Sequence, residues 1–140
     1  MTNGLPAAVL WDMDGTLVDT EPAWMAAEHQ LAREFGTEWT TEDALALVGN
    51  PLLTSGEYIA KRWGLDLSPL EVVDLLHSRV VGEVLNNELP WMPGALDLLE
   101  SLNDAGVPCA LVTMSWEVFA FPIIDRLPRA PSTPSSPVTG

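Results

Sequence analysis

The chain has 140 residues, 47% of them hydrophobic, with 20 acids against 6 bases and a net charge of −14. That length and apolar fraction suffice for one domain, or one small domain carrying an insertion, around a buried core. A surface this acidic repels nucleic acid and anionic lipid, so neither is expected as a partner, and any phosphate site needs local help from a metal, backbone amides or a placed cation.

After a short polar lead, Ala7 to Asp12 is an apolar run that reads as a buried strand. It stops at Asp12, and Asp14, Gly15 and Thr16 follow. Gly15 ends the strand, so Asp12 and Asp14 stand at its carboxyl end, where ligands bind in open α/β sheets. Two carboxylates this close repel each other unless a divalent cation or a shared proton compensates them.

A helix is expected from Thr20, a good N-cap, with Pro22 in its first turn. Trp24, Ala27, Leu31 and Phe35 recur along it at helical spacing, which marks Trp24 and Phe35 as packing residues, and Gly36 closes it. His29 lies on this helix and is read as structural. A second helix follows Thr40-Thr41-Glu42-Asp43 and ends at Gly49; Asn50-Pro51 is a turn. A third spans about Thr54 to Trp63, closes at Gly64 and carries Lys61, the only lysine. Ser68-Pro69-Leu70-Glu71 is a capping box that opens a fourth, with Val72, Leu75, Leu76, Val80 and Val84 on one face and His77 read as structural. These four helices, with no strand signal among them, read as an all-helical insertion over residues 20–90.

Pro93-Gly94 marks the next boundary, and a helix follows with Leu96, Leu99 and Leu102 inward, closing at Gly106. Val107 to Thr113 is a second apolar run, read as a buried strand ending in Thr113-Met114-Ser115. Its Cys109, the single cysteine, excludes an internal disulfide and reads as a small core residue. Trp116 to Leu127 is helix-like but interrupted by Pro122. From Pro128 to Gly140 proline recurs every third residue among Ser and Thr, the composition of a disordered or polyproline-like tail. The abrupt change after Ser115 raises the expectation that the chain is truncated, or out of frame, beyond that point. No apolar stretch nears the roughly 20 residues of a membrane span and no signal peptide is apparent, so a cytoplasmic protein is expected.

The run Asp12-Met13-Asp14-Gly15-Thr16-Leu17-Val18-Asp19 resembles the first signature motif of the haloacid dehalogenase superfamily. With Thr20-Glu21-Pro22-Ala23-Trp24 it resembles the phosphatase, phosphoglycolate phosphatase-like branch. The strand ending in Thr113 resembles the family's second motif. The resemblance implies an α/β fold: a Rossmann-like core from residues 1–19 and 91–127, incomplete here, with residues 20–90 as an inserted helical cap. It implies phosphoryl transfer through an aspartyl phosphate, with Asp12 as nucleophile and Asp14 as general acid, then base. Mg²⁺ is implied at the Asp12 carboxylate and the Asp14 main-chain carbonyl. Thr16 is implied to orient the loop, and Thr113 with Ser115 to bind the phosphoryl group of a small phosphorylated metabolite. The aspartate at Asp14 favours a phosphatase over a dehalogenase. Trp24 stands where sugar-phosphate mutases of the family tend to carry a histidine.

Two of the family's elements have no counterpart: the lysine of its third motif and the acidic pair Gly-Asp-x-x-x-Asp of its fourth. Lys61, Arg126 and Arg129 have no sequence context that places them in the pocket. Loss of one preorganised electrostatic partner commonly costs about 10² to 10³ in rate, so weak activity is expected of this chain. Self-association through the incomplete core is a further expectation. The competing readings are a non-catalytic truncated or interaction module, or a sugar-phosphate mutase; least favoured is a small acidic helical protein with no phosphate chemistry.

Overall fold

In the structure, a computed structural model, residues 4–127 are described; the proline-rich tail falls outside them. The elements run β1 (Val9–Trp11), α1 (Glu21–Glu34), α2 (Thr41–Leu47), α3 (Leu52–Trp63), α4 (Pro69–Asn86), α5 (Ala95–Asp104), β2 (Cys109–Leu111) and α6 (Glu117–Ile124). They form two compact units. One contains the chain up to Glu21 and from Glu88 onward; the other is Pro22–Asn87.

The first unit is built on two parallel strands, with Val9 opposite Cys109, Leu10 opposite Ala110 and Trp11 opposite Leu111. Parallel pairing needs a long crossover, and it puts the carboxyl ends of both strands on the same edge. Alternate side chains of a strand point to opposite faces. On one face Trp11, Cys109 and Leu111 meet Leu17, Leu99 of α5 and Ile124 of α6 around a small apolar void of about 20 Å³. The other face is open: Leu10 is 70% exposed, Val112 41% and Met114 60%. The first strand is therefore shorter than Ala7–Asp12 and buried on one side only. No described element covers its second face, so the full burial expected of an apolar run is not reached.

Pro122 does not interrupt α6, which continues through it to Ile124. Proline removes the N–H that would bond the carbonyl four residues back. That residue is Val118, which is exposed, while Phe119, Ala120 and Ile123 are buried and hold the helix down.

The second unit holds α1 to α4 around Leu31, Trp39, Ile59, Trp63, Val72 and Leu76. Thr40 caps α2 and Ser68 caps α4, each in a reciprocal capping box with the residue three on. Gly64, in the left-handed region, ends α3. The start of α4 lies close against Gly56 of α3, where an added Cβ would meet the Pro69 carbonyl oxygen at 2.5 Å. Trp39 packs edge-on to Trp63, with ring centroids 5.5 Å apart. Arg79 of α4 donates two hydrogen bonds to Glu34 of α1, at 2.6 and 2.7 Å. Phe35 falls just beyond α1 and is 40% exposed, its ring tilted toward Trp63 at 6.0 Å rather than fully buried like Leu31.

Candidate active site

The site is built by the loop from Asp12 to Thr20, which leaves β1 and folds back on itself. Its apolar residues act as anchors: Met13, Leu17 and Val18 are buried, while Asp12 and Thr16 remain exposed. The Met13 carbonyl accepts from the N–H groups of Thr16, Leu17 and Val18, at 3.2, 2.9 and 3.2 Å. Gly15, at φ +78°, turns the chain so that its N–H reaches the Val18 carbonyl at 2.8 Å; a side chain there would be strained. Asp19 N–H donates to the Pro90 carbonyl and Met92 N–H to the Leu17 carbonyl, both at 2.9 Å, which ties the loop to the segment leading into α5.

These anchors fix the two acids. Thr16 Oγ1 donates to Asp12 Oδ2 at 3.1 Å, and Asp12 Oδ1 accepts nothing among the described residues. Asp14 has both oxygens engaged. Thr20 Oγ1 donates to its Oδ1 at 2.5 Å, and Ser115 Oγ donates to its Oδ2. Ser115 also donates its main-chain N–H to Thr113 Oγ1, at 3.0 Å. Thr113 is 4% exposed, at the carboxyl end of β2 beside that of β1. The structure thus joins Asp14, Ser115 and Thr113 directly and sets Asp12 and Thr16 on the same loop.

Thr20 is the residue that sequence reasoning missed. Read as a helix cap, it instead directs its hydroxyl at Asp14. The available signal was its place six residues after Asp14, across a glycine turn. The resemblance puts Ser115 at the phosphoryl group; in the structure its hydroxyl, four residues past the end of β2, donates to Asp14.

The donor set suits a hard cation in part. The Asp12 carboxylate and the Asp14 main-chain carbonyl, which accepts no backbone hydrogen bond among the described residues, are the oxygen ligands such an ion takes. No group of three or more His, Cys, Asp or Glu residues able to hold a metal occurs among the described residues. Lys61 pairs with Glu57 at 3.4 Å on the exposed surface of α3, in the other unit. Arg129 lies outside the described residues.

Titratable groups perturbed by burial lie in the helical unit. Burial pushes Glu28 up to about 7, against the pull of the Trp39 indole N–H that it accepts at 3.1 Å. Burial lowers His77, with Asp74 opposing; its ring stands edge-on to Trp24 at 5.7 Å.

The family model for haloacid dehalogenase-like hydrolases matches residues 9–128. The chain belongs to this family. It is 32% identical over 130 residues to a phosphoglycolate phosphatase of Pseudomonas fluorescens, a match covering 88% of this chain and 47% of the relative. It is 36% identical over 106 residues to hexitol phosphatase A of Escherichia coli, covering 74% and 46%. The chain spans about half the length of the curated relatives it matches. Among solved structures, CbbY from Rhodobacter sphaeroides in complex with phosphate has a TM-score of 0.70 at 24% identity, covering 91% of this chain and 60% of that one. A beta-phosphoglucomutase from Clostridium difficile has 0.73 at 17%, covering 96% and 62%. At these identities the likeness shows the fold, the α/β Rossmann-type core of the family.

Proposed function

We propose that the chain carries the nucleophile, the acid–base group and part of the phosphate site of a Mg²⁺-dependent phosphatase acting on small phosphorylated metabolites. The observation that carries this reading is the pair of carboxylates on one loop, each held differently. Asp12 presents a free oxygen from an exposed carboxylate steadied by Thr16; Asp14 is clamped by two hydroxyls beside Thr113.

The division of labour follows from those contacts. Asp12 Oδ1 attacks phosphorus, forming an aspartyl phosphate as the bond to the leaving oxygen breaks. Asp14 gives a proton to that oxygen, then takes one from the water that attacks the same phosphorus and releases phosphate from Asp12. The Thr113 hydroxyl accepts the Ser115 N–H and keeps its own proton for a phosphoryl oxygen. The Asp12 carboxylate and the Asp14 main-chain carbonyl would hold Mg²⁺, which would supply charge neutralisation at the transferring group. Pro22–Asn87 corresponds in place and size to the family's helical cap, and Trp24 at its start favours a phosphatase over a mutase. A cytoplasmic setting belongs to this reading; among the described residues no helix is long and apolar enough to cross a membrane.

Hydrolysis of p-nitrophenyl phosphate is the test. The reading requires Mg²⁺-dependent turnover that Asp12→Asn removes. A folded chain whose residual turnover survives Asp12→Asn overturns it. Folded protein without turnover or Mg²⁺ binding instead supports the non-catalytic module.

A further inference from the structure

We propose that Ser115 is a positioning residue that couples the phosphate-binding hydroxyl of Thr113 to the carboxylate of Asp14. The roles of the two ends rest on the phosphatase reading; the coupling rests on geometry alone. Ser115 uses both its donors. Its N–H goes to Thr113 Oγ1 at 3.0 Å, and its hydroxyl goes to Asp14 Oδ2. The two donor atoms belong to one residue, separated only by its Cα and Cβ, so a movement at one end is delivered to the other. Asp14 cannot swing away independently, because Thr20 holds its second oxygen at 2.5 Å from a different stretch of chain. A carboxylate gripped at both oxygens by two segments has its plane fixed.

The arrangement also sets the direction of the Thr113 proton. A hydroxyl has one proton to give. With its oxygen accepting the Ser115 N–H, and no acceptor for its proton among the described residues, Thr113 donates outward. An anion that takes this proton pulls on Thr113, through it on Ser115, and so on Asp14. The acid–base group is thereby aligned in response to occupation of the phosphate site. Serine suits the position because it offers a short side-chain donor and a main-chain donor at once. Alanine removes the arm to Asp14 and leaves the arm to Thr113; threonine keeps both.

The test has two arms, both on the full chain. In the first, the Asp14 carboxylate carbon is followed by NMR at one fixed pH in a double-mutant cycle of T113V and S115A. The inference expects T113V to move the Asp14 resonance in the wild-type background and to leave it unmoved in the S115A background. An equal movement in both backgrounds overturns it. S115T, expected to restore the wild-type response, decides the matter if S115A does not fold, and a failure of folded S115T to do so also overturns the coupling.

The second arm compares S115A on p-nitrophenyl phosphate, whose leaving group needs little protonation, and on an alkyl phosphate, whose leaving group needs a proton. General acid catalysis contributes about 10²- to 10⁴-fold, so a misaligned Asp14 is expected to lower kcat on the alkyl ester at least about tenfold more than on the aryl ester. Equal losses on both mark a merely structural serine. If Asp12→Asn shows that there is no phosphatase chemistry, the function reading falls while the NMR cycle still decides the coupling.

Discussion

Replacing Glu28 by glutamine removes a pH dependence built into the helical unit. Glu28 is 6% exposed and, among the described residues, accepts a single side-chain hydrogen bond, from Trp39 Nε1 at 3.1 Å. One neutral donor does not replace the hydration of a carboxylate, and burial carries the group from its ordinary 4.5 to about 7. Between those values the folded chain binds the proton more tightly than the unfolded chain. The folded state then holds more protons, so stability falls as pH rises through this window and stays low above it. At about 1.4 kcal/mol per pH unit, the whole interval amounts to about 3 kcal/mol.

Glutamine keeps an acceptor for the Trp39 indole and carries no charge. Its amide N–H₂ introduces a constant offset, but not a slope. Urea unfolding of both proteins, followed by far-UV circular dichroism from pH 5 to pH 8, isolates the effect as a difference, so every other titrating group cancels. The stability of Glu28→Gln relative to wild type is expected to rise by about 2–3 kcal/mol across that range. A difference that stays flat with pH, or that moves the other way, refutes the argument from burial.

Other consequences follow from packing. Gly56→Ala should destabilise by about 1–3 kcal/mol in a thermal melt, because the new methyl meets backbone, the Pro69 carbonyl oxygen at 2.5 Å, and Val73 Cγ2 at 3.1 Å. Gly82→Ala, inside α4 with open space around it, should stabilise by about 0.5–1 kcal/mol; equal effects at the two glycines would refute the close approach of α3 and α4. The open face carrying Leu10, Val112 and Met114 predicts concentration-dependent association in sedimentation velocity. Leu10→Lys should shift the chain toward monomer, and a wild-type chain monomeric at all concentrations contradicts this.

Where the chemistry is local, the chain's organisation was legible. An apolar run stopped by Asp12, with Asp14 and Gly15 after it, reads as a strand end bearing acids because glycine and alternation are local properties. The four helices of the second unit announce themselves through caps such as Ser68 with Glu71 and through left-handed glycine at Gly64. What stayed hidden depends on partners distant in sequence. The Ser115 hydroxyl finds Asp14 across 101 positions, and no pattern around either residue encodes that. Leu10 is apolar yet exposed, because burial depends on whether anything covers the second sheet face rather than on the strand itself. Glu28 carried a signal that went unused: it lies on the stripe of Trp24, Leu31 and Phe35, four residues after Trp24, where an acid is out of place. Pro122 signals a break only when the helix is taken alone; buried Phe119 and Ile123 hold α6 together.

The central claim is that Asp12 attacks phosphorus. The most direct measurement is to mix the chain with Mg²⁺ and p-nitrophenyl phosphate, quench in acid, digest, and locate any added phosphoryl group by mass spectrometry. The expected result is an acyl phosphate on the peptide that carries Asp12, sensitive to hydroxylamine and absent in Asp12→Asn. A folded, turning-over chain that carries no such group, or carries it on another residue, contradicts the account.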